Sequence, residues 1–462
     1  MLCRIAMRGR LAGAVVVAVN ALRSTHRARA LATGAWVAAM WLAGSAVFAP
    51  AVRAQRVVVT VGPEGPFAQR YTQSWLADPW RLEWSEPWSL GGSGLFTSDG
   101  RYLVYPWPAA TPTSLRVQDV LTRGIVELPL RFRPVRAHPQ VPAVFGMLVD
   151  ASFGWTAARL DPTGLHVAAG CAAGTARALD LSADGAVLVT LCTSGEVFVL
   201  DASSGAILRQ VTGGASHEVL GLAAGVDASH VLVARAGPTL ARGIARIDTV
   251  SGATLGVAAF PAPECTAPQL AASSPDRGRV LVTCWWSATP PGFPITITSS
   301  ARLLDAVSLT WGAELGIPYV AVGVHFSPDG RTLYAHSQDP ARGYTALQVI
   351  DVDTGLRSVD PAGWFSGMAV AFPPLAPDLS VTVAGRRVDL AWQDAVRSPA
   401  ATSHLLEIGS VSGAADIAVV ALGAARALTV PAAPPGRYFV RVRGVNATGQ
   451  GPQSPDVVVT VP

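Results

Sequence analysis

Residues 179–211 read LDLSADGAVLVTLCTSGEVFVLDASSGAILRQV, a stretch in which two tight turns separate runs of alternating apolar residues. The first turn runs from Ser182 to Gly185 and the second from Asp201 to Gly205. Ser and Asp side chains close such turns by hydrogen bonding to the backbone, and Gly supplies the positive φ that a tight turn needs. Apolar residues that alternate with small polar ones are typical of half-buried β-strands. The stretch therefore predicts antiparallel strands joined by short turns.

Both turn motifs recur along most of the chain. The Ser-x-Asp-Gly turn has further copies at 98–100 and 327–330, and degenerate copies near Asp227 and Asp276. An apolar strand that ends in Asp and leads into a turn closing on Gly occurs at 115–124, 156–164, 197–205, 244–252, 301–309 (without the Gly) and 347–355. The Asp residues of this second motif are 42, 40, 47, 57 and 46 residues apart. About four strands in roughly 40–45 residues is the size of a β-propeller blade.

The length of the repeat region favours seven blades. Residues 55–372 comprise 318 residues, or about 45 for each of seven blades. Only six copies of the second motif are visible, so the seventh blade is expected to be composite, with residues 57–61 joining residues 367–372. Such closure removes the exposed sheet edges that invite aggregation. A six-bladed ring is the alternative count.

Two segments resemble known propeller repeats. Residues 179–211 resemble a full repeat of the YVTN-type propellers of bacterial surface and exported proteins. The segment FSPDGRTLY at 326–334 is similar to the same repeat and to the TolB-like propeller repeat. The resemblance implies a β-propeller and does not choose among propeller families.

The last part of the chain is expected to be a second domain. Residues 373–375 begin with two prolines and are predicted to be a linker, because proline ends a strand. In residues 376–462, short alternating strands with regular turn signals predict an immunoglobulin-like β-sandwich. The segments RVDLAW at 387–392 and GRYFVRVRGVN at 436–446 resemble a fibronectin type III domain. In that family a Trp packs the core and a Tyr anchors the sandwich, which implies these roles for Trp392 and Tyr438. The family also implies a spacer or interaction module.

The first 54 residues are predicted to be a secretory signal peptide. They contain seven Arg and no acidic residue, an apolar stretch from Ala30 to Ala49, and a small-x-small site that ends at Ala54. A basic segment, an apolar segment and a small-residue site form the pattern of a cleaved leader. An uncleaved membrane anchor is the alternative. Together with the exclusive use of Arg, this leader predicts an exported bacterial protein, periplasmic or extracellular and not integral to the membrane after cleavage.

Composition and charge exclude two classes of protein. Half of the residues are hydrophobic and 14% are charged, which excludes a disordered chain. Without the leader, the remaining 28 Arg stand against 31 acidic residues, so no basic surface for nucleic acid is expected.

Four cysteines follow the leader, and they flank equivalent turns. Cys171 and Cys192 lie on either side of the turn at 182–185, and Cys265 and Cys284 lie on either side of residues 274–278. An even number of cysteines in an exported protein favours disulfides. We therefore expect the bridges Cys171–Cys192 and Cys265–Cys284, with four buried thiols as the alternative.

The sequence contains no recognisable catalytic, metal or cofactor motif. His325 and His336 flank one blade turn, and without a third ligand they are expected to be structural. Asp351 and Asp353 resemble the start of a calcium loop, but Ala362 stands where the loop needs Glu. We expect no cofactor, no metal and no catalytic residue.

Aromatic residues mark a candidate binding surface. In a propeller, the loops opposite the Ser-x-Asp-Gly turns usually bind partners. The longest of these connections are expected at 106–114, 285–299 and 337–346, and they contain the aromatic residues Trp107, Trp285, Trp286, Phe293 and Tyr344. Aromatic side chains on loops stiffened by proline lose little entropy on binding. The alternative is that these rings pack between neighbouring blades.

These observations predict an all-β protein whose function is binding at the cell envelope. The expected partner is an envelope protein or a polysaccharide, with the second domain as a spacer. The alternative is a carbohydrate-active hydrolase or lyase on the propeller, with the second domain as an accessory. A structural surface-layer component is a third hypothesis.

Overall fold

The computed structural model describes residues 56–62, 71–77, 80–86, 94–107, 113–149, 154–172, 175–212, 219–225, 228–235, 243–265, 268–287, 297–317, 321–339, 344–355, 357–360 and 364–462. The predicted leader lies outside these ranges. The regular elements are strands, numbered β1 to β36 in chain order. Among the described residues, no helix is long and apolar enough to cross a membrane.

Seven antiparallel sheets of four strands account for the described residues from 56 to 371. Sheet 1 has the order β28 (Trp364–Ala371), β1 (Arg56–Gly62), β2 (Tyr71–Ala77), β3 (Trp80–Glu86). Sheet 2 contains β4 (Leu95–Phe96), β5 (Tyr102–Trp107), β6 (Ser114–Asp119) and β7 (Ile125–Leu128). Sheet 3 contains β8 (Phe132–Ala137), β9 (Val144–Val149), β10 (Trp155–Asp161) and β11 (Gly164–Val167).

The remaining four-stranded sheets follow the chain in the same way. Sheet 4 contains β12 (Ala176–Leu181), β13 (Val187–Cys192), β14 (Glu196–Asp201) and β15 (Ile207–Thr212). Sheet 5 contains β16 (Val219–Ala224), β17 (His230–Arg235), β18 (Gly243–Asp248) and β19 (Thr254–Ala258). Sheet 6 contains β20 (Gln269–Ser273), β21 (Arg279–Ser287), β22 (Ile297–Asp305) and β23 (Trp311–Glu314). Sheet 7 contains β24 (Ala321–Phe326), β25 (Thr332–Asp339), β26 (Tyr344–Asp351) and β27 (Arg357–Asp360).

The first strands of the seven sheets lie around a common centre. Each contacts the first strand of the next sheet, from β4 through β8, β12, β16, β20 and β24 to β28, and β28 in turn contacts β4. Sheet 1 joins the two ends of this region, because β1 pairs with β28 in a register that places Val57 opposite Val370 and Val59 opposite Met368. The pairing expected between residues 57–61 and the 367–372 segment is therefore present.

The turns have the chemistry that the sequence predicts. In sheet 4, the Ser182 hydroxyl donates to Asp184 at 2.6 Å, and the Asp184 carboxylate accepts the N–H of Ala186. Gly185 closes this turn at a φ of 79°. In the second motif, Asp201 accepts the backbone N–H groups of Ser203 and Ser204. These bonds fix the direction in which each strand returns.

The core lies between neighbouring sheets. In β13, Leu188 faces a cluster shared with sheet 3, and the next residue, Val189, faces a cluster shared with sheet 5. In β14, Leu200 belongs to the cluster shared with sheet 3, and Val199 belongs to the cluster shared with sheet 5. Both faces of these strands are buried, which explains their nearly continuous Val and Leu.

Residues 378–461 form two further sheets that enclose one core. One sheet has the order β29 (Asp378–Ala384), β30 (Arg387–Gln393), β33 (Ala427–Val430). The other contains β32 (Ala418–Gly423), β31 (Ser403–Gly409), β34 (Gly436–Asn446) and β35 (Gly449–Gln453), and β36 (Val457–Val461) also pairs with β34. Trp392 is fully buried between the sheets, and the Tyr438 hydroxyl donates to the carbonyl of Pro434 at 3.0 Å.

Candidate functional site

A buried carboxylate lies where the first strands converge. Asp180 of β12 has no exposed side-chain surface, and it accepts hydrogen bonds from Arg136 of sheet 3 at 2.6 Å and Arg277 of sheet 6 at 3.2 Å. The N–H of Ala224 in sheet 5 and the hydroxyl of Ser273 in sheet 6 also donate to it, as does the N–H of the next residue, Leu181. Since all of these residues except Leu181 come from three other sheets, Asp180 lies at the centre of the ring.

The charges around Asp180 keep it ionised. Burial alone would raise the pKa of its carboxyl, but Arg136, Arg277 and the N–H of Ala224 together lower that pKa below its ordinary value. Burial lowers the pKa of Arg277, and Asp180 opposes this change. A guanidinium remains protonated in proteins. Two cations therefore surround one anion inside the ring.

Arg277 reaches the centre from a strained turn. It occupies the position of the Ser-x-Asp-Gly turn that Gly185 and Gly330 fill elsewhere, and its φ is 57°. Its N–H donates to the carbonyl of Ser274, as that of Gly185 does to Ser182. A left-handed conformation costs a non-glycine residue about 1 kcal/mol. In the sequence this segment is only a degenerate copy of the turn, and the replacement of Gly by Arg was the signal that could have revealed this residue.

His325 lies near Arg136. Its ring is partly buried on β24, it interacts with the backbone of Met368 in sheet 1, and its buried Nε2 atom has no hydrogen-bond partner among the described residues. Burial first, and Arg136 second, lower the pKa of His325 to about 4, so the ring is neutral at pH 7. We refer to Arg136, Asp180, Arg277 and His325 as the central cluster. Within the described ranges, no group of three potential metal ligands occurs.

The C-terminal sheets lie on one side of the ring, which we call the turn face because it bears the Ser-x-Asp-Gly turns. The N–H of Ala400 donates to the carbonyl of Ser98, and Gln140 donates to the carbonyl of Val396, both at 3.1 Å. Burial raises the pKa of Asp276, but the hydroxyl of Ser274, the N–H of Gly278 and the charge of Arg397 outweigh this effect. Ser98 and Gln140 belong to sheets 2 and 3, whereas Asp276 belongs to sheet 6 across the ring. Residues 396–400 therefore extend over the turn-face end of the space enclosed by the seven first strands, which we call the central channel.

The opposite side, which we call the hairpin face, carries both disulfides. Cys171 precedes β12 and is bonded to Cys192 at the end of β13, and Cys265 precedes β20 and is bonded to Cys284 in β21. Both pairings are those that the sequence predicts. Each bridge ties the segment that enters a sheet to the second strand of that sheet.

Four of the five predicted aromatic positions are strand residues at the hairpin face. Trp107 ends β5 opposite Ser114, and its ring lies 3.7 Å from the Arg116 guanidinium and against the core. Trp286 lies in β21 and packs partly against a buried cluster. The structure describes only the backbone of Trp285 and Tyr344, both in strands, and Phe293 lies outside the described residues.

These positions correct the expected extent of the connections. Residues 285–287 pair with 297–299, and residues 337–339 pair with 344–346, so the predicted loops begin as long hairpins. Proline and glycine after these residues hid the strand pairing from the sequence. The positions belong to sheets 2, 6 and 7, and no contact joins the described rings of Trp107 and Trp286 in one cluster.

A cavity of about 450 Å³ lies between sheets 3 and 4 at the turn face. His138, Phe145, Arg159 and Asp161 are among its lining residues. Arg159 forms an ion pair with Asp161 at 2.8 Å and donates to the carbonyl of Ala202. These polar groups join the turns of the two sheets, so the polar residues that line the cavity have a structural role.

Comparisons with known proteins give structural neighbours only. No family model matches the chain, and no curated protein matches it. Among solved structures, hydrazine synthase from Kuenenia stuttgartiensis is 17% identical over 57% of this chain and 77% of that chain, with a TM-score of 0.41. TolB from Acinetobacter baumannii is 14% identical over 75% and 74%, with a TM-score of 0.40. The beta-propeller domain of Swd1 from Myceliophteria thermophila is 13% identical over 65% and 95%, also with a TM-score of 0.40.

Likeness at this level carries no argument about function. The chain's own geometry, an all-β arrangement of repeated four-stranded sheets around a centre, is that of a β-propeller.

Proposed function

We propose that the chain is an exported, non-catalytic binding protein of the bacterial cell envelope. It consists of a signal peptide (1–54), a seven-bladed YVTN-type β-propeller (55–372), a linker (373–375) and a fibronectin type III domain (376–462). The seven four-stranded sheets and the cycle of contacts between their first strands support the blade count. Two disulfides support an extracellular or periplasmic location, since such bonds persist in oxidising compartments.

Three features support the fibronectin type III assignment. The strand order β29-β30-β33 faces the order β32-β31-β34-β35, with one core between the two sheets. Trp392 is buried in that core. The hydrogen bond from Tyr438 to Pro434 joins a Tyr near the start of a strand to the backbone a few residues upstream, as in the tyrosine corner of sandwich domains.

One observation carries the proposed binding role: the described contacts of the second domain with the ring lie on the turn face, away from the hairpin face. On that face, disulfides fix the segments that enter sheets 4 and 6, and the paired strands of sheets 6 and 7 continue to Ser287 and Asp339. A rigid platform loses little entropy when a partner binds. The partner we propose is an envelope protein or a polysaccharide.

The test is retention of a partner by the purified chain with its disulfides intact. The immobilised protein is incubated with the envelope fraction of the producing cell and with a polysaccharide panel. We expect retention of a defined protein or glycan, and loss of that retention in the Trp286→Ala variant. Val250→Ser, at an exposed turn-face residue, is the matched control. Retention of nothing by the folded protein would overturn the binding role.

A further inference from the structure

The inner surface of the ring carries an excess of positive charge. On the seven first strands, the charged residues are Arg133, Arg136, Arg177 and Asp180, and Arg277 adds a fourth guanidinium from its turn. Arg133 and Arg177 are exposed, although they lie on the innermost strands of their sheets. The solvent that reaches them is that of the channel or its mouth. Four cations against one anion make this channel attractive to anions.

Among the described residues, two buried nitrogen atoms of the central cluster have no hydrogen-bond partner. Arg277 is only 8% exposed, and its Nε has no hydrogen-bond partner. The Nε2 of His325 is buried and also has none. Within the described residues, the hydrogen bond from Arg136 to Asp180 uses Nε alone. Buried polar groups are normally paired, because leaving one unpaired is unfavourable.

No other carboxylate of the described residues completes the cluster. The charge of Asp276 also acts on Arg277 and opposes the lowering of its pKa, but the Asp276 carboxylate accepts the hydroxyl of Ser274 and the N–H of Gly278. Arg397 places another cation beside it. The side chain of Arg136 is 26% exposed and shares the single carboxylate of Asp180 with Arg277, so an anion that enters from solvent would balance the second guanidinium.

We propose that the central cluster is a binding site for a small oxyanion, held between Arg136, Arg277 and His325 and reached from the hairpin face. Guanidinium groups bind carboxylates and phosphates with paired hydrogen bonds, which suits this ligand class. The turn-face entrance is covered by residues 396–400, so the anion enters through the channel past Arg133 and Arg177. The anion is either free or a group on a larger ligand. The site needs no envelope partner, so it stands independently of the proposed function.

The test uses a variant that the repeats themselves supply. Arg277→Gly restores the residue found in the equivalent turns and removes one cation. Binding of inorganic phosphate, sulfate and acetate to the chain is measured by isothermal titration calorimetry. We expect saturable binding by the unaltered chain, and an affinity about tenfold or more weaker in Arg277→Gly, because a charge-assisted hydrogen bond is lost.

Arg123→Gly is the matched control. Arg123 has a φ of 62° in an exposed turn of sheet 2, so the substitution relieves the same backbone strain and removes the same charge far from the channel. The Arg123→Gly variant should bind the anions with the same affinity as the unaltered chain. Absence of saturable binding by the unaltered chain, or equal affinities in the two variants, would overturn the proposal.

A second readout follows His325 itself. Since its Nε2 lies in the site, a bound anion should shift the ring resonances in the NMR spectrum and raise the pKa of that histidine.

A competition experiment distinguishes a free anion from a group on a larger ligand. If an acidic polysaccharide is retained by the chain, its displacement by phosphate would place the anionic group of the larger ligand in this site. Retention unaffected by saturating phosphate would leave the free anion as the ligand. Unchanged His325 resonances at saturating phosphate would contradict the site.

Discussion

Asp180 is the residue on which the packing of the inner strands most depends. It joins sheets 3, 5 and 6 to sheet 4 through four hydrogen bonds, two of them to guanidinium groups. A buried ion pair contributes little net stability when intact, but removing one partner leaves the other buried and uncompensated. Losing Asp180 therefore leaves the guanidinium of Arg277, which is only 8% exposed, without its counter-ion.

Replacing Asp180 by Ala is expected to lower the free energy of unfolding by about 3–5 kcal/mol, because Arg277 loses its buried counter-ion. Thermal unfolding followed by circular dichroism measures the change. Asp353→Ala is the control, since it breaks an exposed ion pair with Arg279 and should leave the midpoint unchanged. Equal midpoints for the two variants would refute the structural role of Asp180.

The lowered pKa of His325 predicts that the folded chain loses stability in mild acid. The pKa of His325 is about 4 in the folded chain against an ordinary 6.5, so the unfolded chain binds the proton first as the pH falls. Stability should therefore decrease from pH 6.5 to pH 4, by up to about 3 kcal/mol from this residue. His325→Gln, which stays neutral, should flatten the dependence of the unfolding midpoint on pH in this window.

His138 also makes the stability depend on pH, and it does so equally in the unaltered chain and in His325→Gln. Burial lowers the pKa of its imidazole as well, despite the opposing charge of Asp184. The difference between the unaltered chain and His325→Gln is thus the quantity that tests His325. Parallel profiles from pH 6.5 to 4 would show that the buried imidazole does not titrate as the structure indicates.

At the scale of the elements, the disulfides act on two equivalent hairpins. The Cys171–Cys192 bridge spans 21 residues and the Cys265–Cys284 bridge spans 19, and each joins the segment before the first strand to the second strand. Both second cysteines are buried in the clusters that separate neighbouring sheets. Each bridge therefore restrains the hairpin that forms the inner part of its sheet.

Replacing both Cys171 and Cys192 by Ala should lower the free energy of unfolding by about 2–4 kcal/mol, since a bridge of this span restricts the unfolded chain. The matching pair of substitutions at Cys265 and Cys284 should cost a similar amount. Thermal unfolding without reductant measures both. An unchanged midpoint in either double variant would show that its bridge does not stabilise the fold.

The elements could be predicted from the sequence, whereas the central cluster could not. Turn chemistry is local, so Ser182, Asp184 and Gly185 were sufficient to place a turn. The partners of Asp180 are 44 residues away at Arg136 and 97 residues away at Arg277, and a repeat pattern alone does not say which side chains meet at the centre. The long hairpins of sheets 6 and 7 were missed because their tips are rich in proline and glycine.

At the scale of the whole molecule, two hydrogen bonds between backbone groups join the two parts of the chain. The N–H of Ala447 donates to the carbonyl of Asp99, and that of Ala400 donates to the carbonyl of Ser98. Nothing in the sequence marks these residues, because hydrogen bonds between backbone groups require no particular side chain. The second domain is thus held against the turn face by a contact that only the folded chain reveals.

Gly100 offers a direct test of this contact. A Cβ atom at Gly100 would overlap the Oγ1 of Thr448, which is buried, so Gly100→Ala should separate the second domain from the turn face. Small-angle X-ray scattering should show a larger radius of gyration, and proteolysis near residues 373–375 should become faster. The double variant Gly100→Ala, Thr448→Ala should regain the compact form, because the overlapping oxygen is absent.

Gly330→Ala separates this effect from backbone strain. Gly330 occupies the same turn position in sheet 7 with a φ of 73°, but a Cβ atom there would meet no atom closer than 3.9 Å. Both single variants incur the cost of a left-handed alanine, and only Gly100→Ala disturbs the contact with Thr448. If the two variants scatter alike, then the second domain does not depend on the Gly100 turn. The claim that the second domain covers the turn-face entrance would then lose its support. The claim that an anion enters from the hairpin face depends on it and would lose support as well.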